Sequence, residues 1–206
     1  MMRNCFAWPG KSLISVLVCT MLLTSCSATP AVRHYQLSAG REAGDDAGKG
    51  LPGDKVIGLG PILLPEYLDR PQIVIRVSPN RLVFADGHRW VEPLVDNLPR
   101  VLAENLSFLL GTDRILPYPW PRSRRIDCQV IVQVLQFETG ADGMARLEAR
   151  WSVMSEEGVV LLPERRSSID TPARGPDHEA LVAALSETLA GLSREISAGL
   201  RPLLLK

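Results

Sequence analysis

Hydrophobic residues follow three rhythms along the 206-residue chain, and each predicts a different kind of element. Ala145, Leu147, Ala149, Trp151 and Val153 alternate with Arg146, Glu148, Arg150 and Ser152. A period of two with one polar face predicts an antiparallel strand covered on one side. Turn chemistry supplies its neighbours. Thr139 to Gly143 reads as the turn from a strand over Ile126–Phe137, and Glu156-Glu157-Gly158 as the turn into one over Val159–Ser168. A helical rhythm appears twice. From Pro93 to Leu110 the residues Leu94, Leu98, Val101, Leu102, Leu106, Leu109 and Leu110 recur at helical spacing until Gly111 stops them. Pro99 inside this run either bends the helix or marks a false start. Asp177 then caps a second helix, with Leu181, Leu185, Leu189, Leu192 and Ile196 in one stripe.

The third rhythm is the short apolar run. Val56–Leu64 is closed by Pro65, and Gln72–Val77 has Val74 apolar opposite Ile73, Ile75 and Val77, which suits burial on both faces. Ser78-Pro79-Asn80 turns that strand into a hairpin partner over Arg81–Ala85, ended by Asp86-Gly87. His34–Leu37 is a further strand-like piece, and Ser38–Lys55, rich in Gly, Ala and Asp, reads as a mobile loop. The order strands, helix, three strands, helix predicts an α+β fold: an antiparallel or mixed β-sheet with two main helices packed on one face.

The first apolar run differs from all of these. Arg3 and Lys11 precede Leu13–Leu23, eleven uncharged and mostly apolar residues. A hydrocarbon layer of about 30 Å needs roughly 20 apolar residues, so this run suits the core of an export signal instead. It ends in Leu23-Thr24-Ser25-Cys26, which resembles the bacterial lipobox. That resemblance divides the chain into a lipoprotein signal peptide over 1–25, a lipidated tether over 26–33 and a single periplasmic domain over 34–206 with a mobile loop at 38–55. It implies diacylglycerol and an N-acyl chain such as palmitate on Cys26, and several chains anchor stably where one is marginal. Ser27 stands where lipoproteins kept at the inner membrane commonly carry Asp, which implies the periplasmic face of the outer membrane. Extended at ~3.3 Å per residue, the tether reaches about 25 Å and holds the domain close to its membrane.

Composition narrows the chemistry. Cys5 and Cys19 leave with the signal and Cys26 is acylated, so Cys128 has no partner for an intramolecular disulfide. It lies in the largely apolar run Ile126–Val132 and reads as a core thiol rather than a nucleophile. Losing Arg3 and Lys11 from 23 basic residues against 23 acidic leaves a net charge of −2, which argues against nucleic acid. About 180 mature residues suffice for one hydrophobic core. His34, His88 and His178 are far apart in different contexts, so no metal site is expected. Gly58-Leu59-Gly60-Pro61 starts like a dinucleotide fingerprint but lacks the third glycine and runs on into apolar strand. Neither a nucleophile elbow nor a phosphate loop occurs. Asp127, Glu138 and Glu148 could pair as acid and base, but solvated strand-face charges explain them more simply. No catalytic residue and no cofactor beyond the acyl groups are therefore expected.

What stands out is a middle segment dense in aromatics, proline and arginine. It comprises Tyr67-Leu68-Asp69-Arg70-Pro71-Gln72, Arg89-Trp90-Val91-Glu92-Pro93-Leu94 and Tyr118-Pro119-Trp120-Pro121. Aromatic side chains and arginine dominate protein interfaces, which makes Tyr67, Asp69, Arg70, Gln72, Arg89, Trp90, Tyr118 and Trp120 candidates for partner binding. Taken singly, each is also explained by loop packing or ordinary surface charge. Trp151, on the apolar strand face, reads as core.

These segments resemble the PqiC (YmbA-type) family, the ABC-type transport auxiliary lipoproteins. The likeness runs through Tyr35-Gln36-Leu37, Ile57–Pro61, Leu64–Val74, Arg89–Leu94, Arg100–Ser107, Tyr118–Trp120 and Leu192–Ile196. Leu-Pro-Glu-Tyr-Leu-Asp-Arg-Pro-Gln at 64–72 is its most specific stretch. Departures are Pro99, the loop 38–55 and the ending Pro-Leu-Leu-Leu-Lys. The resemblance implies an auxiliary-type domain over 34–206 that docks an MCE-domain periplasmic protein, and through it inner-membrane components, in intermembrane phospholipid transport. It also implies a homo-oligomer with no catalytic residue. The alternative is a monomeric structural or assembly lipoprotein of the envelope without a transport role. Mass spectrometry of the mature N-terminus is expected to find acylated Cys26, and Cys26→Ser to release the protein into the soluble envelope fraction. An unmodified first residue would overturn the anchor.

Overall fold

The strand Cys128–Gly140 is the one on which the sheet is assembled. A computed structural model describes residues 31–40, 55–121 and 123–205. In chain order the elements are β1 (Arg33–Tyr35), β2 (Ile57–Leu63), a single 3-10 turn (Glu66–Leu68), β3 (Gln72–Ser78), β4 (Arg81–Trp90) and α1 (Leu94–Leu110). They continue with β5 (Ile115–Pro117), β6 (Cys128–Gly140), β7 (Met144–Met154), β8 (Val160–Pro172) and α2 (His178–Leu204). Val32 to Lys206 forms one compact unit.

A strand has two edges, and β6 uses both along its length. β7 runs antiparallel to it from Gln129 to Thr139 and fills one edge. The other edge is shared. β2 pairs parallel with Cys128–Gln133, and β3 pairs parallel with Thr139–Gly140. Between them the chain leaves the edge, makes a detour through residues 64–71 and rejoins it. β4 forms a hairpin with β3, β1 adds parallel to β4, β5 adds parallel to β2, and β8 lies antiparallel to β7. The fold is α+β, with a mixed eight-stranded sheet.

The alternation of β7 is reproduced without slip. Ala145, Leu147, Ala149, Trp151 and Val153 are all buried in one core with Leu98, Val101, Leu102 and Leu106 of α1 and Leu185, Leu189, Leu192 and Ile196 of α2. Trp151 donates its indole N–H to Ser167 Oγ at 2.9 Å. A Cβ at Gly199 would stand 2.8 Å from the Trp151 ring, so this glycine lets α2 approach the sheet closely. Asp177 caps α2 through Ala180 N–H at 2.8 Å, and Gly111 closes α1 in the left-handed region (φ 63°). Helix α1 begins at Leu94 and passes through Pro99 without a break, so the proline marks no false start.

Several boundaries differ from the sequence reading. Asp86-Gly87 does not end β4. Gln72 faces Arg89 while Val74 faces Phe84, so four residues of β4 oppose one of β3 and the strand bulges there, with Gly87 at φ 75°. Thr139 and Gly140 belong to β6, leaving Ala141–Gly143 as the turn. β5 is three residues long, and its sequence carries no periodicity that would reveal it.

The largest difference concerns residues 37–40. Ser38 was expected to open a mobile loop, yet this stretch is strapped between the two helices. Leu37 N–H donates to Asn97 Oδ1 (3.0 Å), Ser38 N–H to Ser186 Oγ (3.2 Å) and Gly40 N–H to Asn105 Oδ1 (3.1 Å). Asn105 in turn donates to Ser193 Oγ of α2 at 3.2 Å. The spacing is geometric: eight helical residues rise about 12 Å, and three extended residues span about 10 Å. Both asparagines are buried. The remainder of the expected loop, 41–54, lies outside the described residues. Asn105→Ala leaves the Gly40 N–H without its acceptor, and is expected to lower stability by about 1–3 kcal/mol in urea denaturation. An unchanged midpoint would show that the strap contributes nothing.

Candidate interaction surface

The helices cover one face of the sheet; the other is built around a phase slip in β6. Val130, Val132 and Val134 point into the core, and a bulge between Val134 and Gln136 then hands that face to Phe137 and Thr139. Glu138 is thereby turned to the opposite side. There the detour folds over it. Tyr67 donates its hydroxyl to Glu138 Oε2 at 2.6 Å, Gln136 Nε2 donates to Oε1 at 3.0 Å, and Arg76 Nε donates to the same Oε1. Glu138 is only 1% exposed, the one buried charged side chain among the described residues. A carboxylate at that depth is tolerated only when paired and hydrogen-bonded, and here three oxygen and nitrogen donors converge to do so. It is not the solvated strand-face charge that its sequence context suggested.

Burial pushes the Tyr67 phenol well above its ordinary range, the hydrogen bond and negative charge of Glu138 add to this, and Arg76 opposes it. Tyr67 therefore stays protonated and serves as a fixed donor. Seventy-one positions separate it from Glu138. The available signal was the change of apolar phase between Val134 and Phe137.

The expected partner-binding residues divide into supports and exposed groups. Tyr67 is a support. Trp90 is another: it is 6% exposed and packed in the hydrophobic core, so its ring does not belong to a surface, and its backbone N–H donates to Pro71 O at 2.7 Å. Gln72 opens β3 opposite Arg89, half-buried. Asp69 and Arg89 are exposed. Arg70 donates Nε to Tyr67 O at 2.8 Å and lays its guanidinium 3.9 Å from the centroid of the Phe84 ring. Phe84 is itself exposed, a member of this surface that the sequence reading did not single out.

Tyr118 and Trp120 form a second group beside β2 and β5. A Cβ on Gly58 would come 2.7 Å from the Trp120 ring, and one on Gly60 (φ 121°) 2.7 Å from Tyr118 Cβ. The Gly-Leu-Gly that resembled a nucleotide fingerprint is thus a seat for two aromatic rings, which meet edge-on with centroids 5.5 Å apart. Tyr118 remains 57% exposed. Cys26 lies outside the described residues.

The other charged candidates have structural partners. Glu148 pairs with Arg166 at 2.6 Å on the solvent side of β7 and β8, as a strand-face charge should. Asp127 accepts from Val56 N–H (2.8 Å) and Lys55 (3.1 Å), fixing the start of β2. Cys128 is buried, and burial, assisted by Asp127, pushes its thiol up to about 11, so it is held as an unreactive thiol. His88 and His178, distant in sequence, stack with ring centroids 3.5 Å apart. No three His, Cys, Asp or Glu side chains gather as metal ligands among the described residues.

Comparison with known proteins bears on the whole domain. The family model for the ABC-type transport auxiliary lipoprotein component matches residues 35–197. The chain is 22% identical over 183 residues to the intermembrane transport lipoprotein PqiC of Escherichia coli K12, covering 88% of this chain and 95% of the relative. A crystal structure of a Xanthomonas campestris protein superposes with a TM-score of 0.67 at 17% identity, covering 83% of this chain and 95% of that one. A second, of an uncharacterized protein, gives 0.67 at 19%, over 82% and 99%. At such identities the two structures establish the fold alone.

The Tyr67–Glu138 contact carries a signed pH dependence. A phenol whose folded pKa is raised contributes stability that is present below its unfolded value near 10 and lost as pH rises beyond it, because the unfolded chain ionises first. Tyr67→Phe is expected to cost about 1–3 kcal/mol at neutral pH through the donor lost to Glu138. It should also shrink the alkaline loss of stability, read from denaturant midpoints at pH 8 and above pH 10. An identical alkaline loss in both proteins would contradict this account.

Proposed function

The chain belongs to the family of ABC-type transport auxiliary lipoproteins, and from that premise we propose that it is the lipid-anchored docking subunit of an MCE-type system moving phospholipid between membranes. The family is a class of transport auxiliaries rather than of enzymes. In this reading acyl chains on Cys26 hold the domain at the periplasmic face of the outer membrane. Its uncovered sheet face binds an MCE-domain periplasmic protein, itself joined to inner-membrane components, and copies of the chain assemble as a homo-oligomer. The family match over the described domain is the observation that carries the proposal. A relative named for intermembrane transport supports it.

The site's construction suits recognition. Arg70 is held by a backbone carbonyl and an aromatic ring before any partner arrives, so little side-chain freedom is lost on binding. Its neighbours Asp69 and Arg89 offer charge of both signs, and such charges steer association and set register. Anchoring adds a further gain, because a tethered domain meets a periplasmic partner at high effective concentration.

The test is photo-cross-linking in cells from positions 69 and 70 of the full-length protein. An adduct with an MCE-domain protein is expected, and Arg70→Glu should weaken binding at least tenfold while leaving the unfolding midpoint in place. Trp90→Ala should behave differently, unfolding the domain by about 3–5 kcal/mol as a core truncation does. A monomer at all concentrations with no MCE adduct would replace this reading with a structural or assembly lipoprotein.

A further inference from the structure

Three elements distant in sequence meet at one aromatic stack. β1 lies at the edge of the sheet, with Arg33 opposite His88 and Tyr35 opposite Trp90 of β4. His178 is the first residue of α2. The imidazoles of His88 and His178 lie nearly parallel, 13° apart in plane with centroids separated by 3.5 Å. The Tyr35 ring flanks both, at 5.6 Å from His88 and 6.3 Å from His178. Its hydroxyl stands 2.7 Å from His88 Nδ1, within hydrogen-bond distance. This stack joins β1 and β4 to the start of α2.

The surroundings disfavour added positive charge. Arg33 and His34 of β1 line a pocket of about 360 Å³ with Tyr35, Asp177, His178 and Glu179. Asp86 and Arg89 are the nearest charged neighbours of His88 along β4. His178 sits at the positive end of the α2 dipole. Burial holds its imidazole below the ordinary range, His88 and Arg33 lower it further, and Asp177 alone opposes them. A proton on one ring places a cation against its neighbour at stacking distance, and a second proton places two.

We propose that the Tyr35–His88–His178 stack is an acid-released latch fastening β1, the strand nearest the lipid anchor, to α2. With His178 uncharged the latch is closed. A depressed pKa of His178 in the closed form means that the open form binds the proton more tightly, so the closed form loses stability as pH falls below the ordinary histidine range of the open form. β1 pairs over three residues, which makes it the segment to yield. The strap behind it stays pinned, because Leu37 is held by Asn97 and Gly40 by Asn105. With Cys26 lipidated, freeing residues 33–36 lengthens the tether by about 13 Å at ~3.3 Å per residue. Acid would thus let the domain stand farther from its membrane without unfolding.

Hydrogen exchange of the full-length protein in detergent micelles at pH 7.5 and 5.5 tests this, with rates corrected for their intrinsic pH dependence. Protection of residues 32–36 is expected to fall at least tenfold at pH 5.5, while residues 37–40 and β6–β7 hold. His178→Gln should abolish the response, and His34→Gln, whose ring lies outside the stack, should retain it. No acid response in the wild type, or the same response in His178→Gln, overturns the latch. If His178→Gln loosens β1 at both pH values, the ring signals of the wild-type protein decide: titration of His178 below 6.5 together with loss of β1 protection sustains the proposal, and titration at or above 6.5 refutes it.

Discussion

A single buried carboxylate holds the detour that this architecture requires. Two parallel strands, β2 and β3, share one edge of β6, so the chain between them must step out of the sheet and return to it. Stepping out would leave a gap beside β6. Glu138 faces that gap, and Tyr67 and Arg76 reach it from either side, one from the detour and one from the strand that follows. The pairing is mutual: the detour shields the charge from water, and the charge fixes the detour. Buried ion pairs add little net stability over apolar packing, but they penalise any arrangement that leaves one partner alone. Here that penalty specifies the path of residues 64–71.

The division of the sheet into two faces follows from this. Both helices lie on the side where β7 places its apolar residues, so the other side is free to carry a surface. On it the side chains are anchored individually, Arg70 by Tyr67 and Phe84, Trp120 by Gly58, and the β7–β8 charges by one another. A surface of this kind keeps its geometry when a partner arrives. On the helix side of the domain, residues 37–40 are attached by backbone N–H groups to Asn97, Ser186 and Asn105. Buried Leu37 ties this segment to the hydrophobic core as well, so it stays in place with that core.

Local pattern carried much of the fold. The α+β class, both helices with their caps, the three-strand meander β6–β7–β8 and the buried roles of Trp151 and Cys128 all follow from periodicity and turn chemistry within about 20 residues of each position. These features depend on which face of one element is apolar, and that information is written consecutively along the chain. The lipobox-like N-terminus and the family resemblance were legible for a similar reason, since each rests on a contiguous string of residues.

Tertiary structure decided what local pattern cannot encode. Glu138 looks like a surface charge until Tyr67, 71 positions away, closes over it. His88 and His178 are unremarkable until β4 and α2 bring their rings together. Trp90 stands in a segment that reads as interface, yet its ring is buried in the core. The polar strap at 37–40 reads as the start of a loop because its acceptors lie on two helices far along the chain. The sequence by itself determined which elements form and which of their faces are apolar, because those depend on near neighbours. Only the folded molecule decided which polar groups are buried, because burial of a charge or an N–H is settled by partners that the chain brings in from a distance.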